Sequence, residues 1–229
     1  MFPILLPLLA ACSPYAMHGP AWPSTAAACE ADPDGVPCRN ALAADLGFQD
    51  VYHPLAVPLL DGAYALLSLD AGELDTLVSD DDIREPLLDE LWAVSDALGE
   101  LGVGPLLYEF VVSRVKATEI ATPSNDKVMA FNVPTHTVLV HPERAFNLRP
   151  EDFAHALVHE AAHDLYPYHV PCPELGPDDR SCDEDWAGAY GFQVGAAALL
   201  ARSCEDGGHW TCGAWDRAVG SQASFILAE

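Results

Sequence analysis

Positive charge is scarce in this chain. Ten lysine and arginine residues stand against 35 aspartate and glutamate residues among 229, which gives a formal net charge of −25 at pH 7. So little positive charge argues against nucleic-acid binding and against electrostatic docking on anionic lipid. Beyond residue 12 there is also no apolar run long enough for a membrane-spanning helix. Half of the residues are hydrophobic, so we predict a substantial core in a single domain.

Cysteine spacing of the Cys-x-x-Cys type is absent, which argues against a structural zinc held by thiolates. Of the seven cysteines, six remain when Cys12 is set aside, and they form close neighbours around loops rich in Pro, Gly or Asp. The connectivity stays open from sequence alone, but short-range disulfides are typical of oxidising compartments and predict export. The predicted pairs are Cys29–Cys38, Cys172–Cys182 and Cys204–Cys212.

The first eleven residues form an apolar run that ends in Leu-Ala-Ala before Cys12. This ending resembles the lipobox of bacterial lipoprotein signal peptides, which implies a signal peptide over residues 1–12 and a lipid anchor on Cys12. No lysine or arginine precedes the run, as such a signal requires, so an ordinary apolar arm stays as the alternative. Residues 13–40, rich in Pro, Ala and Ser, predict a tether or irregular segment. Residues 41–229 form the predicted domain.

The segment 159–163 reads His-Glu-Ala-Ala-His and is the most specific motif in the chain. On a helix, His159 and His163 lie one turn apart on the same face, so both imidazoles can reach one zinc ion. Glu160 is then placed to take a proton from zinc-bound water. A helix start is predicted at Pro150, and Pro167 ends the helix after the second histidine.

Apolar residues recur at helical spacing through this segment and predict its buried stripe. We place the histidines and Glu151 on the opposite side of the helix. Contact with Glu160 and a position lining the cleft are open to His155, but an outward histidine on a helix is most simply a solvated side chain. A solvent-facing helix that merely carries histidines is the alternative interpretation. The predicted stripe comprises Ala154, Leu157, Val158, Ala161, Ala162 and Leu165.

Through His159, Glu160 and His163 the chain resembles the zincin metallopeptidases, over roughly residues 104 to 200. The resemblance implies an α+β, zincin-like fold in which a small mixed sheet packs on the metal-binding helix, with additional N-terminal helices. It also implies one catalytic Zn²⁺ with the two histidines as ligands and Glu160 as general base.

A catalytic zinc takes a third protein ligand, and two residues compete for that position. His169 lies ten residues after His159, which is the ligand spacing of the metzincin branch. Tyr166 occupies the place of the glycine of that branch, where a left-handed turn costs about 1–2 kcal/mol, and no methionine follows His163. Glu184, at the start of the next helical stretch, is the alternative, as in the thermolysin-like branch. Asp183, Asp185 or no third ligand complete the options.

Tyr190 is our candidate donor for the oxyanion of the transition state. Tyr166, Tyr168 and the more distant His209 stay as alternatives. The predicted Cys172–Cys182 disulfide would hold His169 and Glu184 near the first two ligands by shortening the free chain.

Helices and strands are predicted around this site from hydrophobic period and turn residues. A helix over 85–101 precedes a run of strands, and a long helix follows at about 185–201. The strands are predicted at 106–112, 116–121, 128–133 and 137–140.

The function predicted from the motif is zinc-dependent hydrolysis, most often of peptides, by zinc-activated water with Glu160 as general base. The substrate would be a peptide or protein, and an amidase acting on cell-wall peptides would use the same site. The alternative from another class is a catalytically inactive zinc-binding lipoprotein of the cell envelope. Localisation follows as exported: lipid-anchored at the cell envelope, periplasmic or extracellular.

Overall fold

The computed structural model of this protein describes residues 22–68, 106–123, 127–173, 181–184, 188–205 and 224–227. Within these ranges the fold is mixed α+β, with six α-helices and one three-stranded mixed sheet, as the sequence predicts at this level. The helices are α1 Trp22–Ala31, α2 Val36–Asp45, α3 Ala56–Ser68, α4 Leu106–Arg114, α5 Pro150–Ala162 and α6 Ala189–Glu205, and the strands are β1 Ala117–Ile120, β2 Met129–Asn132 and β3 Thr137–Val140.

The segment expected to be a tether or irregular contains α1 and the first half of α2. Prolines suggested an irregular segment, but Pro23 and Pro37 lie in the first turns of these helices, where the backbone N–H has no partner within the helix and its absence costs nothing. The Cys29–Cys38 disulfide joins the two helices, and both sulfur-bearing residues are buried. These helices therefore belong to the packed domain.

The prediction of a strand over residues 106–112 is wrong, because this segment forms α4. Its continuous apolar run fits a buried helix as well as a buried strand, and periodicity does not separate the two. Packing against α3 and α5 decides for the helix. The Tyr108 hydroxyl also donates to the Asp45 carboxylate over 2.8 Å and ties α4 to α2.

The three strands that follow lie where the sequence predicts them, to within one residue at each end. Their spatial order is β1-β3-β2, with β1 parallel and β2 antiparallel to β3. His136 closes the turn between β2 and β3 in the left-handed region, with φ 52°. Strand β2 is thus an edge of the sheet, and it packs against α5.

The motif helix α5 begins at Pro150, as predicted, and the Arg149 N–H donates to the Asp152 carboxylate over 2.9 Å. It lies among α3, α4, α6 and β2. Gly62 of α3 permits the closest approach, because a Cβ there would meet the Pro150 carbonyl oxygen at 2.6 Å. The predicted apolar stripe is buried except for Leu165, which is half-buried. Most of the opposite side is buried as well, because α6 and β2 cover it.

Helix α6 runs from Ala189 to Glu205, about one turn later than the sequence predicts. The disulfides Cys29–Cys38 and Cys172–Cys182 are both present, as predicted, and indicate an oxidising, exported environment. The predicted lipidation site Cys12, the predicted partner Cys212 of Cys204 and the predicted helix over 85–101 lie outside the described residues. None of the helices in the described ranges has the length and hydropathy needed to cross a membrane.

Candidate metal centre

Three imidazole rings meet at the end of α5. The ring centroids of His159 and His163 are 4.9 Å apart, and His169 lies 5.2 Å from the first ring and 4.7 Å from the second. One ring nitrogen from each residue lies within 4.8 Å of the other two. Ligands about 2.1 Å from a tetrahedral ion are about 3.4 Å apart, so small ring rotations would suffice. The triad could hold a metal ion.

Glu184 is not part of this group. Its side chain is exposed, while the neighbouring Asp183 is buried beside the triad. Of the two candidates for a third ligand, the structure therefore brings only His169 to the histidine pair.

His169 reaches the pair without a glycine at position 166. The chain turns after α5 through hydrogen bonds from the Leu165 and Tyr166 N–H groups to the Ala162 carbonyl, each 2.9 Å long. Among the described residues only Gly47 and His136 have positive φ, so Tyr166 makes no left-handed turn and carries none of the expected strain.

Two of the three rings have a partner that sets their tautomer. His163 Nδ1 lies 2.9 Å from the Tyr166 carbonyl oxygen, and His169 Nδ1 lies 2.7 Å from Asp183 Oδ1. Both oxygens accept, so each Nδ1 carries the hydrogen and each Nε2 keeps its lone pair. Imidazole ligands of metals are oriented in this way by an outer carboxylate or carbonyl. His159 differs, since its buried Nδ1 has no hydrogen-bond partner.

Asp183 organises the surroundings of His169. Its Oδ2 accepts a hydrogen bond of 2.5 Å from the Tyr190 N–H at the start of α6. A backbone bridge between Val170 and Cys182 and the Cys172–Cys182 disulfide bring the two chain segments together. From the sequence, Asp183 was only a minor candidate ligand, and its role as the partner of His169 was missed.

Gly188 explains how α6 approaches this carboxylate so closely. A Cβ on residue 188 would lie 2.3 Å from Asp183 Cγ, so a side chain there would displace Asp183. The glycine preceding Ala189-Tyr190 was the available sequence signal for this contact.

Burial changes the proton affinity of the histidine pair. It lowers the pKa of His159 well below 6.5, and the charges of neighbouring histidines lower it further. Burial also lowers the pKa of His163, despite the Tyr166 carbonyl, which favours the charged form. Both rings are therefore neutral at pH 7, which is the form that binds metal ions.

Glu160 lies beside the triad as a buried acid. Burial raises its pKa from 4.5 to about 8, and the Phe131 N–H donates to the carboxylate and opposes that shift. Its Oε2 has no hydrogen-bond partner. Such a carboxyl group can exchange a proton near neutral pH.

The geometry resembles a metal site with an adjacent base. No family model, curated protein or solved structure matches the chain. Any functional inference therefore depends on the residues of the site itself.

A cavity of about 410 Å³ opens onto the triad. Residues 127–131, which include most of β2, form one wall, and Ala156 and Glu160 of α5 form another. Tyr190 and Gln193 of α6 close the third side. Both the triad and Glu160 therefore face a space large enough for part of a small ligand.

Of the tyrosines predicted as hydrogen-bond donors to the oxyanion, Tyr190 is the one that lines this cavity. Its ring centroid lies 4.5 Å from that of His159 and 5.0 Å from that of His169. Tyr168 is 84% exposed, and Tyr166 packs against Phe192. Neither Tyr166 nor Tyr168 lines the cavity, and His209 lies outside the described residues.

His155 is buried rather than solvated, which corrects the sequence prediction. Its Nδ1 lies 2.6 Å from Gln193 Nε2 on α6, because α6 covers the side of α5 that was expected to face solvent. Asp152 Oδ1 lies 3.8 Å from His155 Nε2. A chain of polar side chains thus runs along α5 behind the triad.

Proposed function

We propose that this protein is a zinc-dependent peptidase of zincin type. The observation that carries the proposal is the convergence of His159, His163 and His169 beside the unpartnered carboxylate oxygen of Glu160. Three imidazoles form a donor set that suits zinc. A catalytic zinc site has three protein ligands and one position left for water or substrate.

Within the described residues, no fourth His, Cys, Asp or Glu joins the triad, and the triad faces a cavity. This favours an enzyme over a zinc site with a purely structural role, which four protein ligands would close. The inactive envelope protein is therefore the second candidate.

A zinc ion bound here would supply Lewis acidity and a water ligand of lowered pKa. The protein itself orients the imidazole rings. The Tyr166 carbonyl and Asp183 hold two of the imidazoles with Nε2 available. Hydrogen bonds of this kind restrict ring rotation, so that little reorganisation is needed when a ligand binds.

Glu160 is the proposed proton carrier. Its Oε2 would take a proton from the attacking water and pass it to the nitrogen of the leaving amine. The Phe131 N–H fixes the carboxyl group against β2 and leaves that oxygen for the reaction. A divalent cation at the triad would lower the pKa of Glu160 and keep it ionised before the reaction.

The free edge of β2 is the proposed binding site for peptide backbone. The His141 N–H donates to the Val128 carbonyl, so in this register the even-numbered residues of β2 bond to β3. The backbone groups of Met129 and the carbonyl of Phe131 then face the open edge, where an extended peptide can add as a further strand, while the Phe131 N–H stays bonded to Glu160. The phenol of Tyr190 would donate to the oxyanion that forms on the substrate carbonyl.

The proposed setting is the bacterial cell envelope, with Cys12 as the lipid-bearing residue. The two disulfides and the lipobox-like ending before Cys12 support export.

The test uses the purified full chain, loaded with zinc, and a mixed peptide library analysed by mass spectrometry. We expect cleavage by the wild type and none by Glu160→Gln, which should still bind one zinc. His163→Ala should lose both zinc and cleavage. Glu184→Gln removes a nearby exposed carboxylate and is the control that should keep both.

Absence of cleavage by a wild-type chain that does bind zinc would overturn the peptidase proposal and favour the inactive envelope protein. Absence of stoichiometric zinc in the wild type would overturn both the peptidase proposal and the inactive zinc-binding protein.

A further inference from the structure

The C-terminal segment Ser224–Leu227 lies against two residues that adjoin the triad. We propose that Phe225 is a positioning residue that holds Tyr190 and Asp183 in place, so that the metal centre is incomplete without this segment. This inference rests on the proposed function only in using the same metal centre.

The first contact is between aromatic rings. The rings of Phe225 and Tyr190 stack with centroids 4.8 Å apart and planes 16° apart. The Tyr190 ring also lies 4.5 Å from His159 and 5.0 Å from His169, so it is in contact with Phe225 and with two rings of the triad. Stacked aromatic pairs have a preferred geometry, and loss of Phe225 would therefore free the Tyr190 ring to rotate away from the imidazoles.

The second contact is through the backbone of Asp183. Its N–H donates to the Phe225 carbonyl over 2.9 Å, and its own carbonyl accepts from the Leu227 N–H over 3.0 Å. These bonds form a parallel β-bridge between Asp183 and Ile226. The segment thus holds on both sides the residue whose carboxylate accepts from His169.

The two contacts converge, because Asp183 Oδ2 also accepts from the Tyr190 N–H. Tyr190 is therefore held at its backbone by Asp183 and at its ring by Phe225. Through Asp183 the segment supports His169, and through the Phe225 ring it supports Tyr190, whose own ring lies against His159 and His169. An ordered C-terminal segment is thus a condition for an ordered site.

The test measures metal binding directly. Full-length wild type, Phe225→Leu and Phe225→Ala are titrated with zinc against a chromophoric chelator, and Co²⁺ is used as a spectroscopic probe of the ligand geometry. We expect both variants to bind zinc about 10-fold more weakly, as when an outer partner of a ligand is lost. Their Co²⁺ spectra should be altered, and kcat on a cleaved peptide should fall more than KM changes.

Phe225→Tyr keeps the ring and should restore wild-type affinity and spectrum. Phe146→Ala removes an aromatic side chain that is 65% exposed elsewhere, and it should behave as wild type. Phe225→Leu keeps apolar volume and serves if the alanine variant does not fold.

A Phe225→Leu variant with wild-type zinc affinity and an unchanged Co²⁺ spectrum would overturn the proposal. So would equal losses in Phe225→Leu and Phe225→Tyr, since the ring would then be irrelevant. Both results are read from zinc affinity and Co²⁺ spectra and do not depend on hydrolysis. A wild type that binds zinc without cleaving peptides would overturn the proposed peptidase, and the role of Phe225 would still be decided by these measurements.

Discussion

Replacing Asp183 with asparagine changes one oxygen for an NH₂ group in a buried position and keeps the shape of the side chain. The two oxygens of Asp183 accept from His169 Nδ1 and from the Tyr190 N–H. Asparagine has one accepting oxygen, so its NH₂ must face one of these two donors. If it faces His169, the ring relieves the clash by moving its hydrogen to Nε2, and Nε2 then has no lone pair for a metal ion.

The size of the effect follows from the hydrogen bonds that are lost. Removal of an outer partner of a metal ligand typically weakens metal binding by about 10- to 100-fold, or about 1.4–2.7 kcal/mol. Asp183 is buried and bonds to both His169 and Tyr190, so we expect Asp183→Asn to fall at the upper end of this range. The metal-free protein should also lose about 1.5–3 kcal/mol of unfolding free energy, the contribution of a hydrogen bond to a charged group.

The assay is competition for zinc between the protein and a chelator, combined with urea unfolding of the metal-free chain. Glu184→Gln is the matched control, because it neutralises the adjacent carboxylate in an exposed position. It should leave both quantities unchanged. Equal zinc affinities for Asp183→Asn and wild type would refute the assigned tautomer, and a loss confined to Glu184→Gln would make Glu184 the third ligand after all.

Two further predictions concern the disulfides and pH. Replacing Cys172 and Cys182 with serine should cost about 2–3 kcal/mol of unfolding free energy and should weaken zinc binding. Replacing Cys29 and Cys38 with serine is the control, because that disulfide spans a similar 9 residues rather than 10. It should cost the same unfolding free energy and leave the zinc affinity unchanged. In the metal-free protein burial raises the pKa of Glu160 from 4.5 to about 8, so its protonated form favours the folded state. As pH rises through this range, the free energy of unfolding of the wild type should fall by up to about 5 kcal/mol relative to that of Glu160→Gln. Urea unfolding at several pH values measures this. If the difference in unfolding free energy between the two proteins does not change with pH, Glu160 is not buried as described.

Local features of the chain could be predicted without a structure. The proximity of His159 and His163 follows from the pitch of a helix, and their helix was predicted from Pro150 and an apolar period. Three of the four predicted strands followed from β-branched residues and turns. The disulfides at Cys29 and Cys172 were predicted because each joins residues close in sequence.

Contacts between distant segments were decided only by the tertiary structure. Burial of His155 depends on the path of α6, and the choice of a helix for residues 106–112 depends on its packing against α3 and α5. Spacing favoured His169 over Glu184 only narrowly, and the tertiary structure separated them by bringing His169 to the histidine pair and leaving the Glu184 side chain exposed.

Sequence by itself thus determined the helix with His159 and Glu160, and it placed His163 one turn after His159, because helical geometry links residues four apart in any surroundings. The helix itself ends at Ala162, with His163 as its C-cap, and so before the second histidine rather than after it as predicted. The tertiary structure decided the third imidazole, its carboxylate partner and the stacking of Phe225 on Tyr190. These contacts join residues 6 to 35 positions apart, and their formation depends on how the whole chain packs rather than on any local preference.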